Sequence, residues 1–308
     1  MNRGAFGFID PDESLQSLEL DEIHKHLNIT IKGGHRAKLK NYRDSYPGFN
    51  KVVDRTEQFN SGYEDQCSAR YYSDMFQCVH SAAGKISRVI VVGVFMGGAS
   101  VVLAGCAHEL GLELDLIDIG DTYLRFAYER IRRTYPEHAH KVRLFHGDLR
   151  TYIRDVLMKE QNVTAFVNHD AGHSFNQVVI DLGSLYYVKE KVHGIAVQDT
   201  HLRGMPAGFK FVDAAIFAIF GFNTVYAPIG FKYKPEQTNM TNPNPFDSNY
   251  FLPDTPEGWY LTLEDNTFKY PHPSISFDAF FVESNKTSRY AACLAYCRNL
   301  IRRIAAPF

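Results

Sequence analysis

Between residues 85 and 203, short apolar runs alternate with longer segments of helical period. The run Arg88-Val-Ile-Val-Val is apolar at successive positions and closes on Gly93, the pattern of a parallel strand buried on both faces. Runs at 112–119, 142–145, 165–168 and 194–198 repeat it. The intervening segments 99–110, 122–134, 149–159 and 177–188 carry apolar residues at three- and four-residue spacing and predict helices, the first stopped by Gly111. Five strands alternating with helices predict an α/β fold. It is a Rossmann-like, doubly wound sheet that takes its ligands at the carboxyl ends of the strands.

The flanks read differently. Residues 1–84 form an N-terminal helical cap, with helices over 14–27 and 63–83, a short strand over 29–31 and a polar Lys/Gly/Arg stretch between. Residues 85–203 are the cofactor-binding core. Residues 204–308 are an aromatic-rich extension, rich in Pro and Asn from Thr238 to Pro256. This extension is expected to complete the sheet and cover the substrate site, with a helix, long loops and antiparallel strands at 259–263 and 277–282. A last helix over 288–304 would turn Cys293, Leu294, Cys297 and Ile301 inward. Tyr233, Tyr250 and Trp259 lie among polar residues and are the candidate walls of a substrate pocket.

Composition narrows the partners. The 308 residues carry 33 basic and 35 acidic side chains, a formal charge of −2, which offers no electrostatic basis for binding nucleic acid or an anionic membrane. The longest apolar stretch, 214–222, is far too short to span a bilayer, and the first ten residues are not a secretory signal. Five cysteines, Cys67, Cys78, Cys106, Cys293 and Cys297, form no CxxC pair and read as reduced thiols of a cytoplasmic protein. A small molecule is the expected partner, and a homo-oligomer is left open.

Five strand ends carry candidate chemistry. The turn Gly93-Val94-Phe95-Met96-Gly97-Gly98-Ala99-Ser100 lets backbone approach a ligand ahead of a helix N-terminus, although any strand-to-helix turn can hold glycine. Asp118 ends the second strand, where a carboxylate can accept both hydroxyls of a ribose; Asp121 is the fallback, and helix capping is the other reading of each. Asp148, in His146-Gly147-Asp148, is either an acceptor for an adenine amino group or a helix N-cap. Asn168-His169-Asp170-Ala171-Gly172-His173-Ser174 and Gln198-Asp199-Thr200-His201 bring carboxylates and imidazoles to adjacent strand ends. Asp170 and Asp199 are oxygen ligands suited to magnesium or manganese, and His201 or His173 has the chemistry of a general base near neutral pH. The alternatives are capping by Asp199 and a hydrogen-bonded structural His173.

The turn from Gly93 to Ser100 resembles the GVxxGGxS turn, and Asp170-Ala171-Gly172-His173-Ser174 the DGDHSY segment, of class I methyltransferases of the macrocin O-methyltransferase and cephalosporin hydroxylase-like group. Asp199-Thr200-His201 follows at the expected place, and the resemblance spans residues 85–203. It implies S-adenosylmethionine at Gly93, Val94, Gly97, Gly98 and Ser100, its ribose on Asp118, further cofactor contacts from Asp148 and Asp170, and Mg2+ on Asp170 and Asp199. It also implies O-methylation of a sugar or natural-product hydroxyl, with His201, His173 and Asp199 catalytic. Two positions depart from the pattern: Val91 stands where many methyltransferases carry an acid that contacts the methionine end, and Gln198 where macrocin-type enzymes carry a second Asp. An NAD-dependent oxidoreductase and a non-catalytic, methyltransferase-like binding protein are the alternative functions.

Overall fold

The computed structural model describes residues 6–29, 43–58, 67–204, 210–235 and 249–285. Its centre is the parallel array the apolar runs predict: β2 (Arg88–Val92), β3 (Glu113–Asp118), β4 (Val142–His146), β5 (Ala165–His169) and β6 (Val192–Gln198). Side chains along β2 divide by parity, Val89 and Val91 into one core layer and Ile90 and Val92 into the other, which is why the run needs no polar residue. Helices α2 (Pro47–Gln58), α3 (Ala69–Ser81), α4 (Gly98–Leu110) and α5 (Asp121–Thr134) cover the first face. On the second lie α6 (Leu149–Tyr152), α7 (Phe175–Ser184) and α8 (Val212–Phe220). Each fully buried Val or Ile contributes about 1.5–3 kcal/mol, so the two layers together hold the sheet.

Further strands extend the array at both edges. Numbered in chain order, β1 is Gly7–Ile9, β7 Leu202–Gly204, β8 Ala227–Lys232, β9 Asn249–Phe251 and β10 Pro256–Thr262. The eight-stranded order is β1-β4-β3-β2-β5-β6-β10-β8, and β7 pairs with β9 in a separate ribbon. Neighbours from β4 to β6 are parallel, whereas β1 is antiparallel to β4 and β10 is antiparallel to both β6 and β8. This is a Rossmann-like, doubly wound α/β sheet with antiparallel strands added at both edges. Connections leave β2 toward β3 and β4 on one side and β5 toward β6 on the other, so the crevice beyond β2 and β5 is the topological switch point.

The structure corrects several expectations. Residues 277–285 are helical, not the strand expected over 277–282: Phe277, Phe280 and Phe281 share one face at helical spacing, and the Ser276 hydroxyl accepts from the Ala279 amide at 3.3 Å. The 149–159 helix is a single regular turn, α6, followed by a wider π-helical turn over Ile153–Leu157. The N-terminal segment also supplies a strand not expected from the sequence, β1, which joins the sheet at the β4 edge. The strand expected over 29–31, the helix over 288–304 with Cys293, Leu294, Cys297 and Ile301, and the start of the 63–83 helix lie wholly or partly outside the described residues. No helix among the described residues is long and apolar enough to cross a membrane.

Candidate functional site

At the end of β2 the chain turns sharply. Gly93 has φ +83°, and a Cβ there would lie 2.0 Å from the Asp170 carbonyl oxygen, so only glycine allows the β2 and β5 ends to touch. Phe95, which stands where a middle glycine is usual, adopts φ +44°. For a bulky residue this left-handed conformation is strained, so the backbone keeps a glycine path without the glycine. Asp118 holds it in place, with its carboxylate accepting from the amides of Val94 (2.8 Å), Phe95 (3.3 Å) and Gly120 (2.8 Å). Burial raises the Asp118 carboxyl above its ordinary range while those donors pull it down. Gly97 is the left-handed N-cap of α4, packed on Ala127, and Gly98 opens the helix.

The carboxylates expected to bind a nucleoside also serve the protein itself. Asp118 braces the turn; Asp121 is exposed at the start of α5. Asp148 is the N-cap of α6, one oxygen on the Thr151 amide (2.9 Å) and hydroxyl (2.7 Å), the other on Arg150 (2.6 Å). Ser100 is fully buried, its hydroxyl without a hydrogen-bond partner among the described residues. It lies behind the turn, not in it. Open to the same edge is Ile119, 72% exposed beside Asp118, with His146 Nε2 3.1 Å from its carbonyl oxygen. An exposed branched apolar side chain between two polar strand ends was a signal the periodicity reading passed over.

The second cluster lies across the Gly93 contact. Asp170, His173 and Asp199 present ligand atoms all within 4.8 Å of one another. His173 Nε2 is 2.9 Å from Asp199 Oδ2 and 3.5 Å from Asp170 Oδ1. Ser174 caps α7 at the Gln177 amide and so sets His173 just ahead of that helix. Asp199 follows β6 in a left-handed conformation, φ +62°. The Gln198 amide, with its nitrogen toward Asp170, donates to both carboxylate oxygens, 2.9 Å to Oδ1. The position that lost a charge has gained a donor.

Electrostatics set the protonation of the cluster. Burial disfavours a charge on His173, but Asp199 and the hydrogen bonds to both carboxylates overcome it and raise the imidazole to about 10. Burial and the neighbouring Asp199 push Asp170 up to about 6 against His173. Asp199 is lowered: burial opposes ionisation, and His173 outweighs it. The imidazole thus bridges the two carboxylates, and their charge favours its protonated form.

His201 is not open either. Its ring is 2% exposed and stacked on Phe251 (centroids 4.4 Å, 8°) beside Tyr233 (5.5 Å, 13°). This aromatic stack makes His201 part of a buried wall. Tyr233, one of the expected walls, is therefore beside the cluster. Trp259 is 4% exposed, stacked on Tyr226 at 3.9 Å within the second core layer. It packs there and is no pocket wall; the Tyr250 side chain lies outside the described set. Sequence reading missed Glu257, which like Asn168 of the strand-four segment is a buried polar group.

No family model matches the chain, and no curated protein does. Among solved structures it is similar to CalS11, a calicheamicin methyltransferase, at 12% identity over 84% of this chain and 96% of that one, with a TM-score of 0.44. It is also similar to the O-methyltransferase TomG of Streptomyces achromogenes, in complex with SAM, at 15% identity over 52% and 69%, with a TM-score of 0.36. The N-terminal domain of EvdMO1, in the presence of SAH and D-fucose, is similar at 12% identity over 79% and 83%, with a TM-score of 0.36.

Proposed function

We propose that this chain is an S-adenosylmethionine-dependent O-methyltransferase acting on a hydroxyl of a sugar or natural-product-like small molecule. The observation that carries the reading is the contact between Gly93 and Asp170. It joins a turn of glycine conformation, at a helix N-terminus, to an acid–imidazole cluster at the switch point of a doubly wound sheet. Residues 85–203 supply both; residues 204–308 supply the aromatic wall around His201, and residues 1–84 brace the sheet from one face. The compartment in this reading is the cytoplasm, in keeping with Cys67, Cys78 and Cys106 as free thiols.

The residues fit the cofactor. Backbone of Gly93, Val94 and Gly97 and the first turn of α4 would hold its polar end, and exposed Ile119 would offer an apolar face to its base. When bound, adenosylmethionine would supply a sulfonium methyl group for the acceptor oxygen, with S-adenosylhomocysteine as the other product. The proton of the acceptor hydroxyl passes to Asp170, the member of the cluster that titrates near neutrality. His173 and Gln198 hold that carboxylate in place, and Asp199 keeps His173 charged. The donor set also fits Mg2+ or Mn2+, held by Asp170, Asp199 and His173; such an ion supplies Lewis-acid polarisation of a hydroxyl when bound.

Calorimetry of the purified chain with S-adenosylmethionine and S-adenosylhomocysteine, with and without Mg2+ and with NAD as control, tests the reading. Micromolar binding of a sulfur compound is expected. Absence of binding, or preference for NAD, rejects it.

A further inference from the structure

Asp199 follows β6 in a left-handed conformation that few residues besides glycine, Asn and Asp adopt. The start of β10 holds the chain just after it. The Thr200 amide donates to the Glu257 carbonyl at 3.2 Å, and the Thr200 hydroxyl donates to the Pro256 carbonyl at 2.7 Å, with Thr200 fully buried. The Glu257 side chain runs the other way. Its carboxylate, in a residue 2% exposed, accepts from the Ser68 amide (2.8 Å), the Ser68 hydroxyl (2.5 Å) and the Phe231 amide (3.1 Å).

Ser68 is the N-cap of α3, its hydroxyl accepting from the Tyr71 amide at 3.1 Å. From that first turn the Tyr71 hydroxyl donates to Asn168 Oδ1 at 3.0 Å, both side chains fully buried, two residues before Asp170. One residue thus holds both arms of the cluster. The backbone of Glu257 holds the Asp199 turn, and its carboxylate holds α3, which through Tyr71 holds the end of β5.

We propose that Glu257 is a positioning residue that sets Asp199 against Asp170, doing so in its ionised form. The carboxylate touches neither substrate nor cofactor. Ionisation matters because three donors converge on it, and hydrogen bonds to a charged carboxylate are stronger than those to a neutral carboxyl group. Asp199 faces it from the end of β6. Tyr71 faces it from α3, as does the Arg70–Asp74 pair one residue along β8 through Gly230, and Tyr233 faces it from beyond β8. Burial, eased by its donors and aggravated by Asp199, raises Glu257 to about 7, so the clamp closes as pH rises through neutrality.

The proposal rests on the methyltransferase reading for its kinetic consequence but not for its structural one, and two measurements separate them. Hydrogen exchange at one pH, comparing the full-length chain with E257Q, is expected to quicken at residues 168–172 and 198–202 as well as at the start of α3, with β3 unchanged. Quickening confined to α3 and β8 overturns the proposal, since a merely structural latch would give that. S68A, which keeps the backbone amide and removes one donor, is expected to show the same pattern more weakly and replaces E257Q if that variant does not fold.

In the kinetic arm, kcat for methyl transfer is expected to fall about tenfold in E257Q with both KM values within about twofold. A kcat unchanged in E257Q, or a loss confined to KM, overturns the proposal. If the wild-type chain binds no sulfonium cofactor, the function falls and the exchange data alone judge Glu257.

Discussion

Single residues carry the chemistry here through their neighbours. Asp199 is ordinary as a carboxylate; its place 2.9 Å from His173 makes it the group that keeps the imidazole charged. Asp199→Asn is therefore expected to lower kcat by roughly 10²–10⁴-fold, measured by transfer of a radiolabelled methyl group to acceptor, since the imidazolium that orients Asp170 is lost. Gly93→Ala places a Cβ 2.0 Å from the Asp170 carbonyl at a positive φ. That substitution is expected to lose roughly 3 kcal/mol in denaturant titration and to abolish S-adenosylhomocysteine binding. At this scale Asp170, His173 and Asp199 were legible in the sequence as polar residues at adjacent strand ends. The N-cap role of Asp148 was one of its two sequence readings and is what the structure shows; the bracing of the Gly93 turn by Asp118 was not legible, because backbone donors leave no mark in side-chain pattern.

Among the elements, the central strands were readable because burial on both faces demands a continuous apolar run, while the edge strands were not. In β8, Pro228 and Gly230 mask a strand that is tolerated at the sheet margin, where a missing N–H donor costs little. The segment 277–285 misled for the opposite reason: its phenylalanines have strand propensity, and packing of Phe277 and Phe280 on Tyr187 at 5.2 and 5.5 Å decides for helix. One polar network holds central strands together. Buried Asp115 of β3 accepts from Arg143 of β4 at 2.8 and 2.6 Å and from Tyr152 after it, with Arg88 of β2 alongside. Asp115→Ala leaves Arg88 and Arg143 to Glu113 and Glu160 but strips the buried Tyr152 hydroxyl of its acceptor, and a loss of about 1–3 kcal/mol in the unfolding free energy is expected from chemical denaturation.

The whole molecule should register the cluster in its pH dependence. His173 is raised above its ordinary value, so the stability it contributes is fully present below about 6.5 and is lost as pH rises through about 10. Thermal melts of wild type should accordingly fall between about pH 7 and pH 10 by more than those of His173→Gln, which lacks the titrating group. Equal slopes in the two proteins would show that His173 is not held as an imidazolium. Saturating Mg2+ or Mn2+ is expected to flatten the wild-type slope, because a cation held by the same three residues displaces that proton.

Periodicity and parity along the chain determined the doubly wound core and the edge of the sheet at which ligands belong, since both follow from which residues must leave water. Tertiary structure alone decided which polar groups at that edge remain available. Asp118 and Asp148 are spent on backbone and side-chain donors, His201 is enclosed by Tyr233 and Phe251, and the Asp170–His173–Asp199 cluster is brought together from two strands and held by Glu257 from a third. The physical reason is range. Burial is imposed residue by residue and shows in local pattern, whereas hydrogen-bond partners separated by tens to more than a hundred residues meet only when the sheet has closed.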